Sequence, residues 1–275
     1  MTFKFRNGNT LLQQMNERST LESDKMNPKK VSLDPSELER YDRQMRIPGW
    51  GVETQKKLKK ARVIVAGAGG LGCPASLYLA AAGVGHITII DKETVELSNL
   101  NRQVVYYQPD IGKYKADSVA EKLRLLNSSI EVEAVNAEIT EKSVRDLIKG
   151  SDVVVDGMDN FTTRFILNSG CVKEKIPFVH AGIYGLDGHM TTIIPRKGPC
   201  LQCIFPEKPP EVEKFPVVGV TPGTLAILQA LETIKLIIGL GEPLVGRMLL
   251  FDGEDLTFST MEVRRDPNCP VCGKP

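Results

Sequence analysis

The residues of this chain that could do chemistry fall at the ends of its apolar runs. In VIVAGAGGLGCPAS, Gly67, Gly69 and Gly72 fit G-x-G-x-x-G, directly after a β-branched run and directly before a helical pattern. The first such glycine makes a tight turn, the second lets backbone approach phosphate, and the third packs helix on strand. The helix that begins there points backbone N–H groups and the positive end of its dipole at an anion. Asp91 ends the next apolar run, HITIID, where a carboxylate accepts hydrogen bonds from ribose hydroxyls. A dinucleotide that carries hydride and a triphosphate that is cleaved both meet these requirements.

The charged residues discriminate between the two. SNLNRQ puts Ser98, Asn99 and Arg102 just beyond the ribose carboxylate, and Lys115 opens the next helical stretch. GMDN puts Asp159 and Asn160 at the end of a further buried run. All of these fall at the carboxyl edge of the expected sheet, where open α/β sheets bind ligands. A carboxylate that holds Mg2+, with Arg and Lys neutralising a departing pyrophosphate, suits a magnesium triphosphate. A pyridine dinucleotide needs fewer cations and wants a proton donor near the hydride. The three histidines, His86, His180 and His189, stand in strand-like contexts that make them scaffold residues. Arg102, Lys115 or Asp159 alone could be a solvated surface charge; their common placement favours the triphosphate.

Four of the six cysteines form two C-x-x-C pairs, Cys200 with Cys203 in GPCLQC and Cys269 with Cys272 in PNCPVCGK. Four thiolates bind zinc tetrahedrally and leave no open coordination position, so the expected site is structural. A redox dithiol is the alternative, but one pair would suffice for that chemistry. Cys73 stands at the start of the glycine-loop helix, where a thiol pKa can be lowered; the simpler reading is a small buried residue. Cys171 falls within a helical run and reads as core. Paired metal-type cysteines in a chain of this size suit a cytoplasmic protein better than a secreted one.

The elements that must position these groups alternate strand and helix. ARVIVAG reads as a strand, Leu71–Ala82 as a helix, HITIID as a strand, 113–127 as a helix and IEVEAVN as a strand with period two. EKSVRDLIKG makes a short helix closed by Gly150, DVVVDGMDN a buried strand, Phe161–Lys175 a helix, and IPFVHAG another strand. This rhythm predicts a doubly wound, Rossmann-like parallel sheet with helices on both faces. After Gly182 the pattern changes to antiparallel strands (HMTTIIP, RMLLFDG, LTFSTMEV) around one long helix, Thr221–Leu240. Between them lies PEKPPEVEKFPVVGVTP, with five prolines and little periodicity. A segment of that length without structure is usually functional or mobile. The expected fold is therefore α/β, a parallel sheet that continues into an antiparallel C-terminal half with a zinc clip.

Composition sets outer bounds. The 275 residues can bury a real core, and 41% apolar with 25% charged residues is ordinary for a globular protein. A net charge of +1 gives no basic excess for a nucleic-acid or anionic-membrane surface. The longest apolar candidate, Leu225–Leu240, carries Glu232 and Lys235, and no membrane span is expected from it. Residues 1–35 lack a signal-peptide core and read as a disordered polar extension. Residues 36–275 read as one domain, with a nucleotide-binding half at about 60–182 and a carrier-binding and zinc half at about 183–275.

The motifs RYDRQMRIPGWG, GAGGLGCPAS, ITIIDKETVELSNLNRQ, DIGKYKADS, GMDN, CLQC and CPVC, in that order, resemble the ThiF/MoeB/HesA family, relatives of ubiquitin-activating enzymes. Within it the chain most resembles the molybdopterin-synthase adenylyltransferases. The resemblance covers nearly everything after the N-terminal extension. It implies ATP-dependent adenylation of the C-terminal Gly-Gly carboxylate of a small ubiquitin-like sulfur-carrier protein, giving acyl-adenylate and pyrophosphate. It also implies roles for residues. Gly70 and Asp91 would hold the nucleotide, Asn99, Arg102 and Lys115 would contact phosphates, and Asp159 with Asn160 would organise Mg2+ and the α-phosphate. Arg43, in RYDRQ, would reach the triphosphate of a homodimer partner, and the four paired cysteines would hold Zn2+. Two departures are visible: the loop from Ile204 to Gly223 has no cysteine to form a covalent carrier adduct, and no rhodanese domain follows CPVC. Adenylation alone is therefore expected, with sulfur supplied by another protein. A transfer-RNA threonylcarbamoyladenosine dehydratase and a non-catalytic half of a heterodimeric activator are the rival readings.

Overall fold

The central strand of the molecule is Arg62–Ala66 (β1), whose β-branched side chains are buried on both faces from Val63 onward. In the computed structural model described here, residues 31–212 and 215–273 are described. Of the polar extension expected at 1–35, residues 1–30 lie outside the described residues. The compact unit runs from Leu33 and opens with Pro35–Arg40 (α1), capped by Asp34, whose carboxylate accepts from Ser36 N at 2.8 Å and Glu37 N at 3.0 Å. Asp42–Met45 (α2) and Gly51–Lys60 (α3) follow and lead into β1.

The glycine turn after β1 feeds Gly72–Ala82 (α4), a helix of small residues that lies close on the sheet and ends at left-handed Gly83. Then come His86–Ile90 (β2), Lys115–Leu126 (α5), Glu131–Val135 (β3), Val144–Ile148 (α6), Val153–Asp156 (β4), Phe161–Glu174 (α7) and Phe178–Tyr184 (β5). A tight turn at Gly185 (φ +62°) reverses the chain into Asp187–Ile193 (β6). Leu201–Ile204 (α8), Val220–Ile238 (α9), Arg247–Asp252 (β7) and Thr257–Glu262 (β8) complete the described elements.

Eight strands form one sheet in the order β3-β2-β1-β4-β5-β6-β7-β8. The pairs from β3 to β5 are parallel, and those from β5 to β8 are antiparallel. This is the parallel sheet running into an antiparallel half that the apolar pattern predicts. One face is covered by α3, α4, α5 and α9, whose Leu58, Leu79, Leu123 and Leu225 join Val63, Val65 and Ile89. The other face is covered by α6, α7 and α8, with Ile148, Leu167 and Leu201 against Ile64, Val154 and Phe178. By length and composition α9 could cross a membrane, but half of it is buried in the protein. It packs against α4, β4, β5 and β6 as a core helix, and Glu232 within it accepts from Thr192 Oγ1 (2.6 Å) and Leu244 N (2.7 Å).

Strand order reverses at β1. Successive crossovers run outward to β2 and β3, and the chain then returns to β4 on the other side of β1. The carboxyl ends of β1 and β4 therefore part around a crevice, the usual ligand position in such sheets.

Candidate functional site

That crevice opens into a cleft of about 780 Å3. Its floor is main chain. Gly67, at φ +100°, lies against Gly157 so closely that a Cβ would stand 2.5 Å from the Gly157 carbonyl oxygen. A Cβ at Gly72 would come within 1.8 Å of Gly67 O, so this third glycine packs the helix onto the turn and does not line the cleft. Gly69 and Gly70 do line it, and a Cβ on Gly69 would meet nothing nearer than 3.7 Å within the protein. Backbone is thus presented to the cleft by the turn just before α4. Beneath the turn, Cys73 Sγ donates to Ala68 O at 3.1 Å and Tyr106 Oη donates to the same oxygen at 2.7 Å.

Asp91 stands at the end of β2 as a fixed acceptor. Its Oδ2 accepts from Ala68 N and its Oδ1 from Glu93 N, each at 2.8 Å. Burial raises its carboxyl above the ordinary value, and the two N–H groups pull the other way. Each carboxylate oxygen retains a lone pair for a ligand hydroxyl.

The cations gather around the same cleft. Lys115, the first residue of α5, is 4% exposed, and its Nζ lies 2.6 Å from Glu93 Oε2. Arg102 Nη1 donates to Ser98 O and Asn101 Oδ1, both at 2.9 Å. Asn99 is occupied locally, its Oδ1 accepting from Glu96 N at 3.0 Å, and Ser98 Oγ donates to Glu96 Oε2 at 3.2 Å. On the β4 side, exposed Asp159 accepts from Asn160 Nδ2 at 3.1 Å, while Asn160 Oδ1 caps α7 by accepting from Thr163 N at 2.8 Å. Of the residues singled out in the sequence, Gly67, Gly69, Gly70, Asp91, Ser98, Asn99, Arg102, Lys115, Asp159 and Asn160 all line this cleft. Arg43 does not: it is exposed on α2, outside the cleft of its own chain.

Three lining residues have no role assigned from the sequence. Glu93 is the partner of Lys115. Gln103 is 4% exposed, with its Oε1 unpartnered among the described residues. Arg164 is buried in α7 and threads beneath the Asp159 turn. Its Nη2 donates to Met158 O (2.6 Å) and Ala181 O (3.0 Å), and its Nε lies 3.3 Å from Asp156 Oδ2. Asp156 itself accepts from Met158 N (3.0 Å) and shares a proton contact of 2.6 Å with His180 Nδ1. Burial lowers the pKa of His180 even against that carboxylate, and holds His189, 3.2 Å away, at about 3. Both rings belong to the scaffold.

The four paired cysteines meet on the α7–α8 face, all four sulfurs within 4.8 Å of one another. Individual separations include 3.7 Å for Cys200–Cys269 and 3.4 Å for Cys203–Cys272. Tetrahedral zinc with bonds near 2.3 Å places sulfurs about 3.8 Å apart, so this set fits the ion. Asp266 N points at Cys203 Sγ at 3.5 Å, the kind of N–H···S contact that steadies a thiolate ligand.

Comparison with known proteins agrees with this geometry. A model of the ThiF family matches residues 41–271. The SAMP-activating enzyme E1 of Haloferax volcanii is 47% identical over 249 residues, spanning 89% of this chain and 92% of that protein. A sulfur carrier protein adenylyltransferase of Thermus thermophilus is 42% identical over 247 residues, spanning 86% and 91%. Among solved structures, E. coli MccB with AMPCPP and MccA superposes with a TM-score of 0.77 at 25% identity, over 96% of this chain and 83% of that one. From the RYDRQ segment to the second cysteine pair, this chain belongs to the ThiF family.

Proposed function

We propose that this protein adenylates the C-terminal carboxylate of a small ubiquitin-like sulfur-carrier protein ending in Gly-Gly, consuming ATP with Mg2+ and releasing pyrophosphate. The observation that carries this reading is one cleft lined by the glycine turn, Asp91, Arg102, Lys115 and Asp159. The names of the Haloferax and Thermus relatives point to the same substrate class.

The chain's own groups divide the work. Backbone at Gly69 and Gly70 approaches the phosphates, and Asp91 accepts from the ribose hydroxyls. Arg102 and Lys115 carry the positive charge that growing negative charge on the departing pyrophosphate requires. Asp159 would hold Mg2+ at the cleft edge, where its carboxylate is exposed; the ion would offset negative charge on the phosphates. Asn99 and Asn160 act by fixing the turns that carry these groups. The carrier carboxylate attacks the α-phosphorus, the bond to the bridging oxygen breaks, and pyrophosphate leaves. The protein aligns and neutralises; it forms no bond to either reactant. Zn2+ on Cys200, Cys203, Cys269 and Cys272 would be structural. Arg43, exposed and outside its own cleft, would serve the cleft of a second copy in a homodimer.

The decisive experiment is exchange of labelled pyrophosphate into ATP. Exchange that depends on a carrier with an intact Gly-Gly end supports the proposal. Failure with every such carrier tried, under conditions where ATP binds, overturns it.

A further inference from the structure

Among the described residues, the segment between α8 and α9 forms no helix or strand, and both of its described parts are anchored beside the cleft. On one side, Glu211 lays its carboxylate on the first turn of α7. Its Oε1 accepts from Thr162 N (2.8 Å) and Thr162 Oγ1 (2.7 Å), and its Oε2 accepts from Phe161 N at 3.3 Å. Lys208 reinforces this end: its Nζ donates to Thr162 Oγ1 at 2.9 Å and stands 3.8 Å from Glu211 Oε1. On the other side, Gly185 N donates to Pro216 O at 2.8 Å, and Gly185 pairs with Val217 in a parallel bridge. Farther on, Gly219 sits so close to the Arg102 turn that a Cβ would meet Asn101 O at 2.7 Å.

The Glu211 contact is more than a surface charge finding a neighbour. It joins residues 49 positions apart and supplies acceptors for two of the N–H groups that a helix leaves unmet at its start. A carboxylate there also faces the positive end of the helix dipole. Burial would raise the Glu211 carboxyl, but the bonds from Thr162 and Phe161 outweigh it and hold the group below its ordinary value. Glu211 is therefore an anion whenever the protein is near neutrality.

What this anchor positions is apolar. Val212, Phe215 and Val217 line the cleft together with Ile183 and Tyr184 of β5, whereas Asp91 and Lys115 line it from the β2 and α5 side. A nucleotide uses the charged side. The apolar side, bounded by extended backbone at Val217, suits the thin, extended end of a polypeptide.

We propose that Glu211 is a positioning residue for the carrier's C-terminal tail: by holding the 205–212 segment on α7, it sets the wall against which the tail lies. This inference rests on the adenylation reading. Its effect should fall on carrier binding and leave nucleotide binding alone.

The test compares Glu211→Ala and Glu211→Gln with the wild type in carrier-dependent pyrophosphate exchange, ATP binding without carrier, and amide hydrogen exchange. In Glu211→Ala, the KM for carrier should rise roughly tenfold or more while the ATP Kd changes by less than about twofold. Amides at 161 and 162 should exchange faster. Glu211→Gln, which keeps an acceptor oxygen, should lie between the alanine variant and the wild type in both carrier KM and amide exchange. Wild-type exchange accompanied by an unchanged carrier KM in Glu211→Ala overturns this proposal alone. So does an ATP Kd that weakens as much as the carrier KM. Absence of carrier-dependent exchange in the wild type overturns the adenylation reading and this inference with it.

Discussion

Lys115 is tied to Glu93 twice, by its backbone N–H to Glu93 O at 2.9 Å and by its Nζ to Glu93 Oε2 at 2.6 Å. The double link holds the start of α5 against Glu93, two residues beyond Asp91, so the carboxylate proposed for ribose and the ammonium proposed for phosphate come together from two separate elements. Lys115 is nearly buried, while its partner carboxylate is more than half exposed. A ligand phosphate can therefore compete for the ammonium without stranding a buried anion.

Removing either charge at the reacting phosphates should remove catalysis without unfolding the protein. Lys115→Ala and Asp159→Ala should each slow carrier-dependent pyrophosphate exchange roughly a hundredfold to a thousandfold, as loss of a group acting on transition-state charge does. Circular dichroism and thermal melting should match the wild type. Near-normal exchange in either variant would place the chemistry elsewhere.

Arg43 allows a complementation test of the dimer. Arg43→Ala and Asp159→Ala, each inactive alone, should regain activity when unfolded and refolded together. In a mixed dimer the Arg43→Ala chain has its own Asp159 and receives Arg43 from the other chain. Random pairing of equal amounts gives roughly a quarter of wild-type activity, because half the dimers are mixed and each has one complete site. Activity no higher than the sum of the separate variants would confine each site to one chain.

Freshly purified reduced protein should contain one zinc per chain, measured by elemental analysis. Cys269→Ser should lose the ion and melt at lower temperature, since structural zinc adds directly to folding free energy. Metal-free protein with all four thiols titrating freely would rule out the clip.

Neither remaining cysteine is placed to react. Cys73 and Cys171 have no exposed surface, and burial pushes the Cys73 thiol up to about 12 and raises that of Cys171 still further. The double variant Cys73→Ala, Cys171→Ser should retain adenylation apart from a packing loss, and denaturation of the wild-type complex should release carrier adenylate intact. A thiol-labile carrier–enzyme adduct on a gel, absent from the double variant, would show covalent catalysis.

Asp110 supplies a pH test of stability. Burial alone would raise its carboxyl, but Lys122, Tyr107 N (2.8 Å) and Lys113 (3.2 Å) hold it down at about 2. A carboxyl with a folded pKa below its unfolded one stabilises the fold above the unfolded value and loses that contribution as pH falls through the folded one. Asp110 should therefore contribute fully above about pH 4 and cease to contribute near pH 2. Urea unfolding should find Asp110→Asn less stable than the wild type at pH 7, with the difference closing over that interval; a constant difference would refute the assignment.

The fold was legible wherever one residue type has one use. Val63–Val65 and Val153–Val155 are β-branched runs too apolar for an edge strand, and they lie at the centre of the sheet. Gly67 and Gly72 could be read because no other residue fits there. The helices before β1 were not read: Gly51–Lys60 carries four lysines among charged and polar residues, and buries only Gln55 and Leu58. Arg164, Glu93 and Asp156 escaped for a related reason. A charged residue inside a helix or loop looks solvated until the fold shows a buried counter-charge, and Asp156 meets Arg164 only once α7 packs on β4 and β5. Glu211 lay in a proline-rich stretch without periodicity, where no pattern marks which side chain reaches back.

The cysteine clip also fixes an order of events during synthesis. Cys200 and Cys269 are 69 residues apart, and the stretch between them holds Glu211 and its segment, α9, β7 and β8. A zinc ion on the four sulfurs would close this stretch into a ring, and the ring cannot shut until Cys272 has left the ribosome. Until then the strand-and-helix half can wind on β1, with Glu211 and Lys208 already able to hold their segment on α7. The clip would thus close last, around a cleft whose two sides can already be in place.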